Sequence, residues 1–169
     1  MEVSKIYIFK EGIFSKSGAI RAYKIENRVY FFIPIFKNFE IEFPNYYINK
    51  FDFKLDQEET FESFIKKFSD SKGSYINTGL DKTTCFNVIE TNEDNTNNYK
   101  VIYSGRNNNE DYRIYIANIN KFFNSVSNIK IFEFKKSLSY PYVFKEGNMF
   151  KMICSLGRYG DSGIIFSKI

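Results

Sequence analysis

Short runs of aromatic and β-branched residues, each closed by turn-forming residues, recur along the whole chain, and this pattern constrains the fold most. KIYIF (5–9) reads as a strand. AIRAYKIE (19–26) and RVYFFIPIF (28–36) flank the turn-prone Asn27 and predict a hairpin. FEIEF (39–43) alternates strictly, with Phe39, Ile41 and Phe43 on one side and Glu40 and Glu42 on the other, until Pro44 ends it. TTCFNVIE (83–90), YKVIYS (99–104), YRIYIANI (112–119), KIFEF (130–134), YVFK (142–145), MFKMICS (149–155) and GIIF (163–166) continue the series. One stretch breaks the rule. Phe61, Phe64, Ile65 and Phe68 recur at helical spacing and predict a helix over 57–70, with Asp56 as N-cap, Glu59 completing the box and Gly73 as the stop. NINKFFNSVSN (118–128) fits a short helix or a bend. The expected fold is α+β, a mainly antiparallel β-sheet of seven or more strands with one or two helices, in a single globular domain over 1–169.

Twenty Phe and 13 Tyr supply ample core, too much for a disordered chain. The longest apolar stretch, VYFFIPIF (29–36), is too short to span a bilayer. MEVSKIYIFKEG lacks the pattern of a secretory signal, which predicts a cytoplasmic protein without membrane contact. Cys85 and Cys154 both sit in strand-like runs and read as buried, reduced thiols.

The segment GRYGDSGIIFSKI (157–169) contains GDSG, the run around the nucleophilic serine of trypsin-like proteases. The chain has no histidine, so Ser162 has no imidazole to take its proton. A Ser–Lys pair stays open, but no lysine is marked out for it. Three glycines in seven residues predict a tight turn, in which Asp161 can accept from backbone amides. That turn can also present Arg158, Tyr159 or Asp161 to a partner. Missing histidine removes most zinc sites, and neither CxxC, GxxxxGK[ST] nor GxGxxG occurs. ETNEDN (90–95) is the richest carboxylate run, but it lacks the glycine and terminal glutamate of a calcium loop and reads as a solvated loop. No catalytic residue, cofactor or metal ligand is expected.

The formal net charge of +4 hides an asymmetry. Residues 39–62 hold seven acids and two lysines, a net of −5, so the remainder carries +9 against the overall +4. Glu40, Glu42, Asp52, Asp56, Glu58, Glu59 and Glu62, interleaved with Tyr46, Tyr47 and Phe51, form a candidate surface for a basic partner. The same acids also fit plain structure: Glu58 and Glu59 favour a helix start, and Glu62 is four residues from Lys66. Lysines interleaved with aromatics at 120–136 and 142–151 raise a weaker alternative, a nucleic-acid-binding protein or histidine-free nuclease using Arg106, Tyr112, Arg113 and Arg158. Only five arginines are present and the lysines are scattered, which counts against nucleic acid.

SLGRYGDSG (155–163), together with the strand and hairpin pattern IYIF…IRAYKIENRVYFF, resembles the immunity proteins of bacterial contact-dependent growth inhibition systems. The resemblance implies a non-enzymatic protein whose partner is a cognate toxin domain, often a nuclease. It implies neutralisation by direct binding over or beside the toxin's active site. Such toxins are frequently basic, which matches the acidic segment. A structural or regulatory protein of a mobile element is a third reading with no specific residue behind it.

Overall fold

Asn27 does close the first hairpin: Glu26, at φ 53°, and Asn27 reverse the chain between β1 (Arg21–Ile25) and β2 (Arg28–Lys37). The computed structural model describes residues 18–37, 45–54, 60–91, 98–157 and 160–169. KIYIF, FEIEF with Pro44, and most of ETNEDN lie outside the described residues.

β2 pairs along its whole length with β3 (Asn45–Lys54), a strand the sequence pattern did not reveal. The two faces of this pair enter different cores. Phe31, Ile33 and Ile35 of β2 and Phe51 and Phe53 of β3 meet Phe64 and Phe68 of the helix α1 (Phe61–Asp70). Phe32 and Ile48 point the other way, into a larger cluster with Phe86, Val101, Tyr103 and Tyr115.

The helix begins later than the expected 57. Thr60, in extended conformation, is the N-cap, and its side chain accepts from the Ser63 amide at 3.2 Å. Asp56 therefore does not cap it, and Asp56, Glu58 and Glu59 lie outside the described residues. Ser71 is the C-cap, and Gly73 follows at φ +63°, where an added Cβ would stand 2.6 Å from the Phe51 ring. Glycine is required there both for its dihedral freedom and for the close approach of β3.

β4 (Ser74–Ile76) returns antiparallel along β3, and the chain then enters β5 (Lys82–Thr91), which meets β3 in parallel at Tyr46 and Lys82. β6 (Asn98–Arg106), β7 (Arg113–Ile119) and β8 (Val126–Ile131) follow as antiparallel neighbours. The sheet order is β1-β2-β3-β5-β6-β7-β8, with β4 on β3. Residues 118–128 do not form a helix. Phe123 takes φ 53° and the amides of Phe123 and Asn124 bond back to Asn120, making a bend that drops the Phe123 ring between Tyr30 and Tyr99, each 4.8 Å away. The strand expected at 130–134 runs instead over Val126–Ile131. Beyond it the Phe132 amide bonds the Ile114 carbonyl and its ring packs into a third cluster.

That cluster joins the other face of β5–β7 to a second sheet, made of β9 (Leu138–Glu146), β10 (Met149–Leu156) and β11 (Ile164–Lys168) in the order β11-β10-β9. Ile102 and Ile114 from the first sheet meet Leu138, Met152 and Cys154 from the second. The fold is thus α+β and mainly antiparallel: one face of the long sheet gathers around the larger cluster, and its opposite face is covered by the helix at β2–β3 and by the short sheet at β5–β7. Among the described residues α1 is the one helix, and it is not long and apolar enough to cross a membrane.

Candidate partner-binding surface

Of the acids expected to share one surface, two fall within the described residues, and they stand apart. Asp52 accepts from Arg28 Nε at 2.9 Å and Nη2 at 2.5 Å, and Lys50 Nζ lies 3.3 Å from its other oxygen. Its charge is matched within the fold rather than offered to a partner. Asp52 alternates with Phe51 and Phe53, whose rings meet α1, so its side chain leaves β3 on the face away from the helix. Glu62 is exposed on the first turn of that helix. Glu40 and Glu42, like Arg158 and Tyr159, lie outside the described residues.

The GDSG segment is the expected turn, joining β10 to β11. Gly157, Gly160 and Gly163 take φ of 79°, 82° and 110°. The Leu156 amide bonds the Gly163 carbonyl, and the Ser162 amide bonds the Leu156 carbonyl. A side chain on Gly157 would run into the Asp161 carboxylate and stand 2.7 Å from the Ser162 hydroxyl. Among the described residues Asp161 Oδ1 accepts from the Ser162 hydroxyl at 3.1 Å, because the tight turn brings those side chains together. Both residues are exposed.

Beside this turn lies a feature that no candidate residue of the sequence marks. The inner face of the short sheet is core, and strand alternation throws the intervening residues outward. Tyr142, Ile153 and Phe166 stand directly across from one another on β9, β10 and β11. Phe144, Lys151 and Lys168 form the next row, and Ile164 extends the patch toward the turn. Tyr142, Ile164 and Phe166 are 54%, 67% and 72% exposed, far more than aromatic and aliphatic strand residues usually are. The rings of Tyr142 and Phe144 lie 6.3 Å apart, with the Arg21 guanidinium 5.8 Å from the Tyr142 ring centre. Lys151 pairs with Glu146, leaving Lys168 exposed at the margin. Among the described residues β11 pairs only with β10, so it is an edge strand of the short sheet. A contiguous apolar patch with a charged margin is the composition of a protein interface. The signal in the sequence was that YVF and IIF are apolar at both alternating positions, one set more than a core needs.

A second feature gathers three of the four residues named for nucleic acid. A cavity of about 360 Å³ is lined by Lys82, Arg106, Tyr112, Ser137 and the 108–111 turn. Arg106 donates to the Glu110 carbonyl at 2.9 Å and lies 5.1 Å above the Tyr112 ring. Arg113 lines the adjoining smaller cavity with Lys135 and Lys136.

Burial raises the thiol pKa values of Cys85 and Cys154, which are free and buried, and this suppresses thiolate chemistry. It also raises the phenols of Tyr23, Tyr103 and Tyr115. These shifts belong to core packing and lie outside both surface features. Among the described residues no cluster of three or more His, Cys, Asp or Glu is placed to hold a metal ion. Comparison with protein-family models and with curated protein sequences gives no match.

Proposed function

We propose that the protein acts by binding another protein, as an immunity protein that covers the active site of a toxin domain. The outer face of β9–β11 is the centre of that contact. The observation that carries this reading is the row Tyr142–Ile153–Phe166 with Ile164, an apolar patch held open on a sheet whose other face already completes a core. Aromatic anchors inside a polar rim concentrate binding energy at such surfaces. The turn at Asp161 enters β11 beside Ile164 and extends the same contact, with Arg158 and Tyr159 assigned to it from the sequence alone. Glu62, with Glu40, Glu42, Asp56, Glu58 and Glu59, contributes long-range steering rather than the anchor, and Asp52 is a structural residue.

The test is binding to the toxic domain encoded by the adjacent gene. Tyr142→Glu with Phe166→Glu is expected to weaken affinity at least about 100-fold through faster dissociation. Glu40→Lys, Glu42→Lys and Glu62→Lys are expected to slow association at low salt only. Unchanged affinity in the first variant removes this face from the reading; no binding by the wild type removes the reading itself. The gathering of Arg106, Tyr112 and Arg113 supports a second reading, nucleic-acid binding, which predicts retention on RNA or DNA that falls steeply with salt.

A further inference from the structure

We propose that the protein pairs reversibly with a second copy of itself through the outer face of β9–β11. The centre is the row Tyr142–Ile153–Phe166 with Ile164, and Met149, 48% exposed, continues the same face beyond Lys151. The exposed parts of these side chains amount to on the order of 400 Å² of apolar surface, the size of a contact patch rather than of scattered surface residues. That is roughly half of the ~800 Å² per partner of a stable interface, so the two copies separate readily.

The charges of this face favour a second copy. Lys151 is engaged by Glu146, and Arg21 is held over the Tyr142 ring. Lys145 alternates to the other face, where its ammonium lies 5.8 Å from the centre of the Phe150 ring. Among the described residues of the outer face, Asp161 and Lys168 remain, both exposed and neither paired with an opposite charge. They have opposite signs and stand at opposite ends of β11: Asp161 in the turn before Ile164, Lys168 two residues beyond Phe166. A two-fold axis along the row Tyr142–Ile153–Phe166 reverses the strands of one copy over the other. The apolar rows then stack, and Lys168 is set toward Asp161 of the partner subunit. The same contact is made twice, as a self-complementary interface requires. Paired in this way, the copies cover the anchor that a toxin domain has to reach, so the dimer is a resting form that the partner opens. That consequence rests on the partner-binding reading above, whereas the self-contact rests on the face alone.

Sedimentation velocity of the full chain, from low micromolar to submillimolar concentration, tests the contact. The wild type is expected to pass from one copy to two as concentration rises, and Phe166→Glu is expected to stay single throughout. Lys168→Glu is expected to weaken pairing about tenfold, because an attraction becomes a repulsion at two symmetric places. Adding Asp161→Lys to that variant is expected to restore pairing to within about threefold of the wild type. Asp161→Asn keeps an acceptor for the Ser162 hydroxyl; it carries the test if Asp161→Lys does not fold, and is expected to weaken pairing about threefold. A wild type that stays single at every concentration overturns the proposal, as does a dimer that Phe166→Glu leaves intact or that Lys168→Glu leaves unchanged. A single wild type that still binds the toxin domain removes the self-contact and leaves the partner reading standing. A dimer with no affinity for that domain removes the partner reading and supports the self-contact.

Discussion

The side-chain amide of Asn87 donates to the Pro141 carbonyl at 3.0 Å, tying the long sheet to the first strand of the short one. The same nitrogen lies 2.7 Å from the Cys85 carbonyl and 3.1 Å from that of Ile102, at the point where β5 bulges and Cys85 takes φ 52°. Its oxygen lies 3.4 Å from the Tyr23 hydroxyl. Asn87 is 1% exposed, so its loss leaves buried carbonyls unpaired. Asn87→Leu is expected to destabilise the fold by about 2–4 kcal/mol, read from the urea midpoint. It is also expected to speed amide exchange in β9 more than in β2.

Phe68 is the keystone of the helix layer. Its ring lies 5.1 Å from Phe31 and 5.7 Å from both Phe51 and Phe53, and it is buried. Phe68→Ala is expected to cost about 3–5 kcal/mol, whereas Phe64→Ala, at a half-buried position, is expected to cost less. Equal effects in chemical denaturation would mean that α1 does not dock through Phe68.

Asp52 separates structural from functional acidity. Asp52→Asn removes the charge that Arg28 and Lys50 share, in a partly exposed setting, so a loss of about 1 kcal/mol or less is expected, smaller still in high salt. Partner affinity is expected to stay within about twofold, because the carboxylate is already engaged.

These residues also mark what was legible beforehand. The Phe61–Phe68 stripe and the Asn27 turn act through neighbours in sequence, and both were readable. β3 was not, because it serves two cores at once. Ile48 faces one cluster and Phe51 and Phe53 the other, which breaks simple alternation. Its Lys50 and Asp52 look like surface charges in the sequence, yet they pair with each other and, through Asp52, with Arg28 on the neighbouring strand. The acidic segment therefore reads as one surface along the chain, although folding sets Asp52 and Glu62 on different faces. The exposed row on β9–β11 depends on register across three strands and on which face the core takes, and neither is a local property. Asn87 was unreadable for the same reason: four of its five partners lie more than ten residues away.

The two faces of the short sheet are expected to respond oppositely to substitution. Phe166→Glu, at a 72% exposed position, is expected to change stability by no more than about 0.5 kcal/mol and to raise solubility. Met152→Ala, on the buried face of β10, is expected to cost about 2–5 kcal/mol. Thermal unfolding of the two variants beside the wild type checks both. A Phe166→Glu protein as unstable as Met152→Ala would mean that the outer face is covered by the chain itself.

Alkaline pH is expected to unfold the protein through its buried phenols. Tyr103 is fully buried between the Phe86 and Tyr115 rings, each 5.5 Å away, and among the described residues its hydroxyl meets no hydrogen-bond partner. Burial, and then the neighbouring Tyr115, push its pKa well above the ordinary phenol value. Burial likewise raises Tyr115 and Tyr23. The sign follows from where protons are lost. Below the unfolded-state value near ~10 both states hold the proton and stability is fully present. Above it the unfolded chain ionises while the folded phenol stays neutral, so stability falls as pH rises toward the folded value. Each such phenol contributes a slope of roughly 1.4 kcal/mol per pH unit above about pH 10. Tyr103→Phe removes one of these slopes. It also removes an unpaired buried hydroxyl, so at neutral pH stability is expected to be unchanged or higher by about 1 kcal/mol. Urea midpoints measured at pH 7 and above pH ~10 check this, and an alkaline loss as steep in Tyr103→Phe as in the wild type would show that this phenol ionises without unfolding the core.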